Sequence, residues 1–205
     1  MRSTGTLVSR IGTLIAIIAI AGVGYSLLRL LSGSGPAGSQ RLIGGSLPQF
    51  AAPLARSGIE LDSNVVSRAA ASRGGGHAAC DVRVKGALVS CRDLRGRAVV
   101  TFWRSDKAVC VRQVDELQKA FAGDRSVHAA AIAFKEQVAP IGKLAAEHGW
   151  TLPVAVDRDA AAAELYLVSA CPSTYFARDG RITGVRLGLL DAAALRRAAG
   201  VGTDG

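Results

Sequence analysis

Between residues 98 and 199, short apolar runs and amphipathic stretches alternate in an order that few architectures accept. Ala98–Trp103 is an apolar run of strand length. Cys110–Phe121 follows it, with Val114, Leu117 and Phe121 at near-helical spacing. Val127–Phe134 reads as a strand of mostly small apolar residues, and Pro140–His148 as a helix stopped by Gly149. Leu152–Val156 is the next strand and Ala160–Leu165 a short helix. Thr174–Ala177 and Arg181–Leu187 flank a turn at Arg178-Asp179-Gly180. A last helix spans Asp191–Ala199, with Asp191 as its N-cap and Gly200 as its stop. This order predicts an α/β fold, a central mixed sheet with helices on both faces.

The N-terminus sets the compartment. Ile11 to Leu28 is an uncharged run of 18 residues, with Arg2 and Arg10 before it and Arg29 after it. That length suits a membrane-spanning helix, and the flanking arginines direct the N-terminus to the cytoplasm. A cleaved signal peptide is the competing reading. The run exceeds an ordinary signal core and no small-x-small site follows, which favours a retained anchor over residues 1–31. Either reading exports the remainder to the extracytoplasmic side. Residues 32–46, rich in Gly and Ser, read as a flexible linker. A domain over 47–200 begins near Leu47-Pro48-Gln49-Phe50, with an insertion near 56–86 in which Ile59–Arg73 shows weak helical periodicity. The net charge of +9 comes with an aromatic fraction of only 5% and no interleaving of Arg or Lys with aromatics, so nucleic acid is not an expected partner.

Export gives the four cysteines their meaning. Cys80, Cys91, Cys110 and Cys171 allow three pairings in an oxidising compartment. Asp81–Val84 and Ala87–Ser90 flank Lys85-Gly86, a two-residue turn in which Gly supplies positive φ. Counting outward from that turn sets Cys80 opposite Cys91 in a β-hairpin, within reach of a structural disulfide. The cysteine spacings match no zinc module, and His77, His128 and His148 are not spaced as ligand pairs; neither a metal nor a cofactor is expected. Asp157 and Asp159 read as turn and cap residues.

Lys107-Ala108-Val109-Cys110 sits where the strand ending at Trp103 gives way to a helix. A cysteine in the first helical turn lies near the positive end of the helix dipole, which favours the thiolate. Leu94-Arg95-Gly96-Arg97-Ala98-Val99-Val100-Thr101-Phe102-Trp103 leads into it. Cys171-Pro172-Ser173-Thr174-Tyr175-Phe176 comes later, followed by Asp179-Gly180-Arg181-Ile182. Together with Val156-Asp157-Arg158-Asp159 and Leu165-Tyr166, these segments resemble the thioredoxin fold, and more narrowly its membrane-anchored TlpA/ResA-type (redoxin) branch. The likeness runs from about Leu47 to Ala199, apart from the insertion. The branch's W-C-x-x-C motif falls on Asp106, Lys107 and Cys110, so the attacking cysteine is replaced by Lys107 and the resolving one is kept. Asp115 stands where the family usually has a proline. The resemblance implies a cis bond before Pro172, with Cys171 beside the helix that carries Cys110. Cys110 and Cys171 then form either a redox pair outside CxxC or a permanent bridge.

The catalytic candidates are therefore Cys110, Cys171, Pro172 and Lys107. Lys107 would favour the Cys110 thiolate by its charge, or is simply a solvated lysine. The resemblance implies an exported thiol–disulfide protein whose partners are thiols or disulfides of other exported proteins. Two alternatives stand beside it. One is a non-catalytic binding or assembly module with both bridges structural. The other is a peroxidase of the peroxiredoxin kind, against which Trp103–Cys110 lacks the Pro and Thr of that site's loop.

Overall fold

The computed structural model describes residues 38–59 and 79–202. In chain order these hold β1 (Ala51–Pro53), β2 (Ala87–Val89), α1 (Ser90–Asp93), β3 (Arg97–Trp103), α2 (Ala108–Phe121) and β4 (His128–Phe134). Then come α3 (Val138–Glu147), β5 (Val154–Asp157), α4 (Ala161–Leu165), β6 (Ser173–Arg178), β7 (Arg181–Leu187) and α5 (Ala192–Ala198). A five-stranded sheet has the order β5-β4-β3-β6-β7. β3, β4 and β5 run parallel, while β6 and β7 are antiparallel to their neighbours.

The period of two along each strand sends side chains into two separate cores. Val99 and Trp103 of β3 meet Cys110, Val114, Leu117 and Phe121 of α2, together with Ile141 of α3 and Leu195 of α5. Ala98, Val100 and Phe102 meet Tyr166, which follows α4, as well as Phe50 and Leu88. Around Tyr166 the rings of Phe102, Tyr175 and Phe50 lie at centroid distances of 4.9, 5.0 and 5.8 Å. Such aromatic pairs each add about 0.5–1.5 kcal/mol beyond their buried area. Both edges of the sheet are covered by residues from the start of the domain. Leu54 bridges to Ala155 of β5, and Ser46 to Arg181 at the start of β7, so each edge strand is met by one isolated bridge.

Three sequence expectations change. The β-hairpin from Cys80 to Cys91 is not formed. The turn at Lys85-Gly86 exists, with Gly86 at φ 91°, but Ala79–Asp81 is a 3-10 turn and β2 pairs with β1 instead. The reason is burial. Ala87, Leu88 and Val89 are covered on both faces and need an apolar partner, which Ala51–Pro53 provides and the exposed Asp81 and Arg83 do not. Secondly, the described part of the expected linker, residues 38–46, is packed. Gly38–Leu42 forms a 3-10 turn with Ser39 buried, Gln40 Nε2 donates to the Val185 carbonyl, and Gly44 and Gly45 exchange backbone bonds with Ile182. Thirdly, β5 begins at Val154 rather than Leu152, because Pro153 cannot donate to the ladder. The apolar run Ile11–Leu28, and all but the first residue of the helix expected over Ile59–Arg73, lie outside the described residues. Among the described residues no helix is long and apolar enough to cross a membrane.

Candidate functional site

The C-terminal end of β3, the first turn of α2 and the approach to β6 converge on one sulfur pair. Cys110 opens the stripe Cys110, Val114, Leu117, Phe121 that buries α2 against the sheet, and it has no exposed surface. Cys171 precedes Pro172 across a cis peptide bond and is half-buried against the same core. The two are bonded, with a Cα separation of 5.8 Å, inside the ordinary disulfide range. The loop that carries Cys171 is fixed on both sides. Ser173 Oγ donates to the Ala170 carbonyl (2.6 Å), Gly188 N donates to the Pro172 carbonyl (2.9 Å), and the hydroxyls of Thr101 and Thr174 meet at 3.0 Å between β3 and β6.

Lys107 is the N-cap of α2 and offers no side-chain cap. It is exposed, with Nζ 3.9 Å from Asp106, whose carboxylate is also held by the Arg104 fork at 3.1 Å to each oxygen. The loop before the helix is pinned to the next βα loop by Glu136, which accepts from both the amide and the hydroxyl of Ser105 at 2.8 Å. Sequence reading missed Glu136, and no local pattern marks it. It missed Gln113 as well. This buried side chain accepts from Leu190 N at 2.7 Å and donates to the Leu190 carbonyl at 3.3 Å, tying α2 to the chain leaving β7. Asp115 accepts from Trp150 Nε1 at 2.7 Å and lies 2.9 Å from His148 Nδ1, joining α2 to the end of α3. Asp157 is buried at the end of β5, where it accepts from the amides of Ala162 and Ala163 and caps α4. Asp159 accepts from Ala161 N at 3.3 Å.

The second bridge joins Cys80 to Cys91 with a Cα separation of 5.9 Å, from a 3-10 turn to the first turn of α1. Among the described residues no cysteine is free, and no group of three or more His, Cys, Asp or Glu side chains is gathered as a metal site. His128 is exposed at the start of β4, and His77 lies outside the described residues.

A mixed five-stranded sheet with a cysteine in the first turn of α2 and a cis-proline before β6 defines a thioredoxin-like α/β domain. The model of the AhpC/TSA family matches residues 76–184, more than half of the chain, and the chain belongs to that family. Solved structures agree on the fold. A putative thiol:disulfide interchange protein DsbE from Chlorobium tepidum has 17% identity and a TM-score of 0.56, over 76% of this chain and 94% of that one. For dsbF from MTB the values are 17% and 0.55, over 75% and 95%. A secreted Mycobacterium tuberculosis disulfide oxidoreductase homologous to E. coli DsbE has 18% and 0.51, over 56% and 88%. No curated protein matches this chain.

Proposed function

We propose that this chain is a membrane-anchored, extracytoplasmic thiol–disulfide oxidoreductase in which Cys110 and Cys171 act as the redox pair, with Lys107 in the position of the lost attacking cysteine of CxxC. One observation carries the reading: the bridge is asymmetric, joining a fully buried cysteine at a helix start to a half-buried cysteine beside the cis-proline. A substrate thiolate reaches only Cys171 Sγ. Its attack forms a mixed disulfide and expels Cys110 as a thiolate, which the first turn of the 14-residue helix α2 stabilises. A second substrate thiol then attacks the substrate's own sulfur in that mixed disulfide and releases Cys171. Two electrons pass from two substrate thiols to the pair, and the substrate leaves as a disulfide. The reverse sequence reduces a substrate disulfide, with Cys171 attacking and Cys110 resolving. The uncharged run Ile11–Leu28 supports the anchor, and protease protection of the N-terminus in intact cells tests it.

The decisive experiment combines thiol counting with trapping. Alkylation and mass analysis under mild reductant should find free thiols at both Cys110 and Cys171. Cys110→Ala should accumulate a mixed disulfide on Cys171 when mixed with a reporter disulfide after reduction, whereas Cys171→Ser should accumulate none. A binding module is the second reading, favoured by the complete burial of Cys110 and the absence of a free cysteine among the described residues. A pair that resists every native-state reductant would establish that reading instead. Turnover of hydrogen peroxide by the reduced chain, lost in Cys110→Ala, would point to peroxidase chemistry.

A further inference from the structure

A cleft of about 460 Å³ opens at the opposite end of β3 from Cys110 and Cys171. The seven-residue strand separates the two ends by about 20 Å at 3.3 Å per residue, so nothing at one end touches the other. Cys91, Arg95 and Asp179 line the cleft, with Leu47 and Leu94 giving it an apolar side. This brings three chemically distinct groups to one space. Cys91, half-buried as a residue, brings the Cys80–Cys91 disulfide to the edge of this cleft, its side chain packed against a small satellite core. Arg95 donates through Nε to the Cys91 carbonyl at 2.9 Å and makes no ion pair among the described residues. Asp179 is exposed, is held by its backbone N–H on the Gly96 carbonyl at 2.7 Å, and likewise has no salt-bridge partner among the described residues. Next to the cleft, Arg92 is already paired with Asp93, which leaves Arg95 and Asp179 as the charges that face it without a charged partner among the described residues.

We propose that this cleft receives a small zwitterionic aminothiol, of which cysteine is the simplest, and that the Cys80–Cys91 disulfide is a second exchange site rather than a purely structural bond. The Arg95 guanidinium takes the carboxylate and Asp179 the ammonium group, which leaves the thiol facing Cys91. A volume of this size lies in the range of small-molecule sites and exceeds what one amino acid fills. The ligand thiolate attacks Cys91 Sγ, a mixed disulfide forms, and Cys80 departs as a thiolate that takes a proton from solvent. A second ligand thiolate attacks the ligand sulfur of that mixed disulfide. The symmetrical ligand disulfide leaves, and Cys91 is released as a thiol. Two ligand thiols are oxidised and one protein disulfide is reduced. The site needs neither Cys110 nor Cys171.

The test uses the full-length chain and four probes at equal thiolate concentration: cysteine, cysteamine (no carboxylate), thioglycolate (no amine) and 2-mercaptoethanol (neither). Opening of Cys80–Cys91 is followed by alkylation and peptide mass. Each rate is divided by that of the same thiol on a synthetic peptide carrying this disulfide. Cysteine should lead 2-mercaptoethanol by about tenfold, as two partly exposed charge contacts allow. The trapped adduct should sit on Cys91. Asp179→Asn should slow only the two amine-bearing probes, and Arg95→Gln only the two carboxylate-bearing ones, with Arg95→Lys restoring the latter. Equal normalised rates for all four probes would overturn the proposal. So would variants that slow every probe alike, an adduct on Cys80, or a bridge that opens only when the chain unfolds.

Discussion

Surroundings rather than residue type set acidity in this domain, as two buried tyrosines show. Burial pushes the Tyr175 phenol up to about 12, and burial together with the neighbouring Tyr175 holds Tyr166 well above the ordinary tyrosine range. Both hydroxyls are committed as donors, Tyr175 to the Tyr166 carbonyl at 2.6 Å and Tyr166 to the Pro48 carbonyl at 3.0 Å. An unfolded tyrosine ionises near pH 10. The folded state therefore holds these protons where the unfolded state gives them up, and stability falls as pH rises through that window. The contribution is complete below about pH 10 and is lost on the way to about 12. An ultraviolet titration of tyrosinate should show neither residue ionising near pH 10 in the folded chain, with both appearing together at alkaline unfolding. Separate early ionisation of either would contradict their burial. Sequence could not supply this pair of roles. Tyr166 and Tyr175 meet only because α4 folds over β6. The Cys110–Cys171 bond, by contrast, was already implied by the resemblance, which set Cys171 before Pro172 beside the helix of Cys110.

Elements lock together here through backbone as much as through side chains, and α3 gives the sharpest case. A Cβ added at Gly142 would lie 2.5 Å from the Ala55 carbonyl oxygen, because the segment after β1 crosses this helix at backbone contact. Replacing a mid-helix glycine by alanine ordinarily stabilises by about 1 kcal/mol. Gly142→Ala should do the opposite. It should displace α3 from the covering segment and lower the urea midpoint by an amount equivalent to about 1–3 kcal/mol, within the usual range for overpacking. A raised midpoint would mean the crossing can relax at no cost. A polar clamp makes the second case. Gln113→Ala leaves the part-buried Leu190 N–H without its partner and should lower the denaturation midpoint by an amount equivalent to about 1 kcal/mol, the low end of the penalty for an unsatisfied donor. The central strands were readable because β3 and β4 carry continuous apolar runs between clear breaks. The hairpin expected over Cys80–Cys91 was not, because Lys85-Gly86 does turn the chain while the choice of partner for β2 lies some 35 residues away in sequence, at β1. Local pattern encodes a turn well and a non-local pairing poorly.

At the scale of the molecule, the question is what the two disulfides do for a domain that already has two packed cores. The Cys110–Cys171 bridge spans a sequence separation of 61 and Cys80–Cys91 one of 11. In the chain-entropy account the longer loop restricts the unfolded chain more, giving about 4 kcal/mol against about 3 kcal/mol for the shorter. Neither bridge joins two strands of the five-stranded sheet. β3 keeps its full ladders to β4 and β6, and the aromatic cluster around Tyr166 lies on the face away from Cys110. A domain that cycled its core bridge, as proposed, would have to remain folded in both states, and the strand ladders and the second core are the contacts that would hold it. The fully reduced chain should therefore unfold in one cooperative transition, with near-ultraviolet circular dichroism retained below it. The urea midpoint of the oxidised chain should fall more on loss of Cys110–Cys171, in a Cys110→Ala/Cys171→Ala variant, than on loss of Cys80–Cys91 in Cys80→Ala/Cys91→Ala. The comparison also separates a redox bridge from a staple. If the 110/171 double variant loses its tertiary signal while the 80/91 variant keeps it, the core bridge is a condition of folding, and a catalytic cycle through a dithiol form is ruled out for this domain.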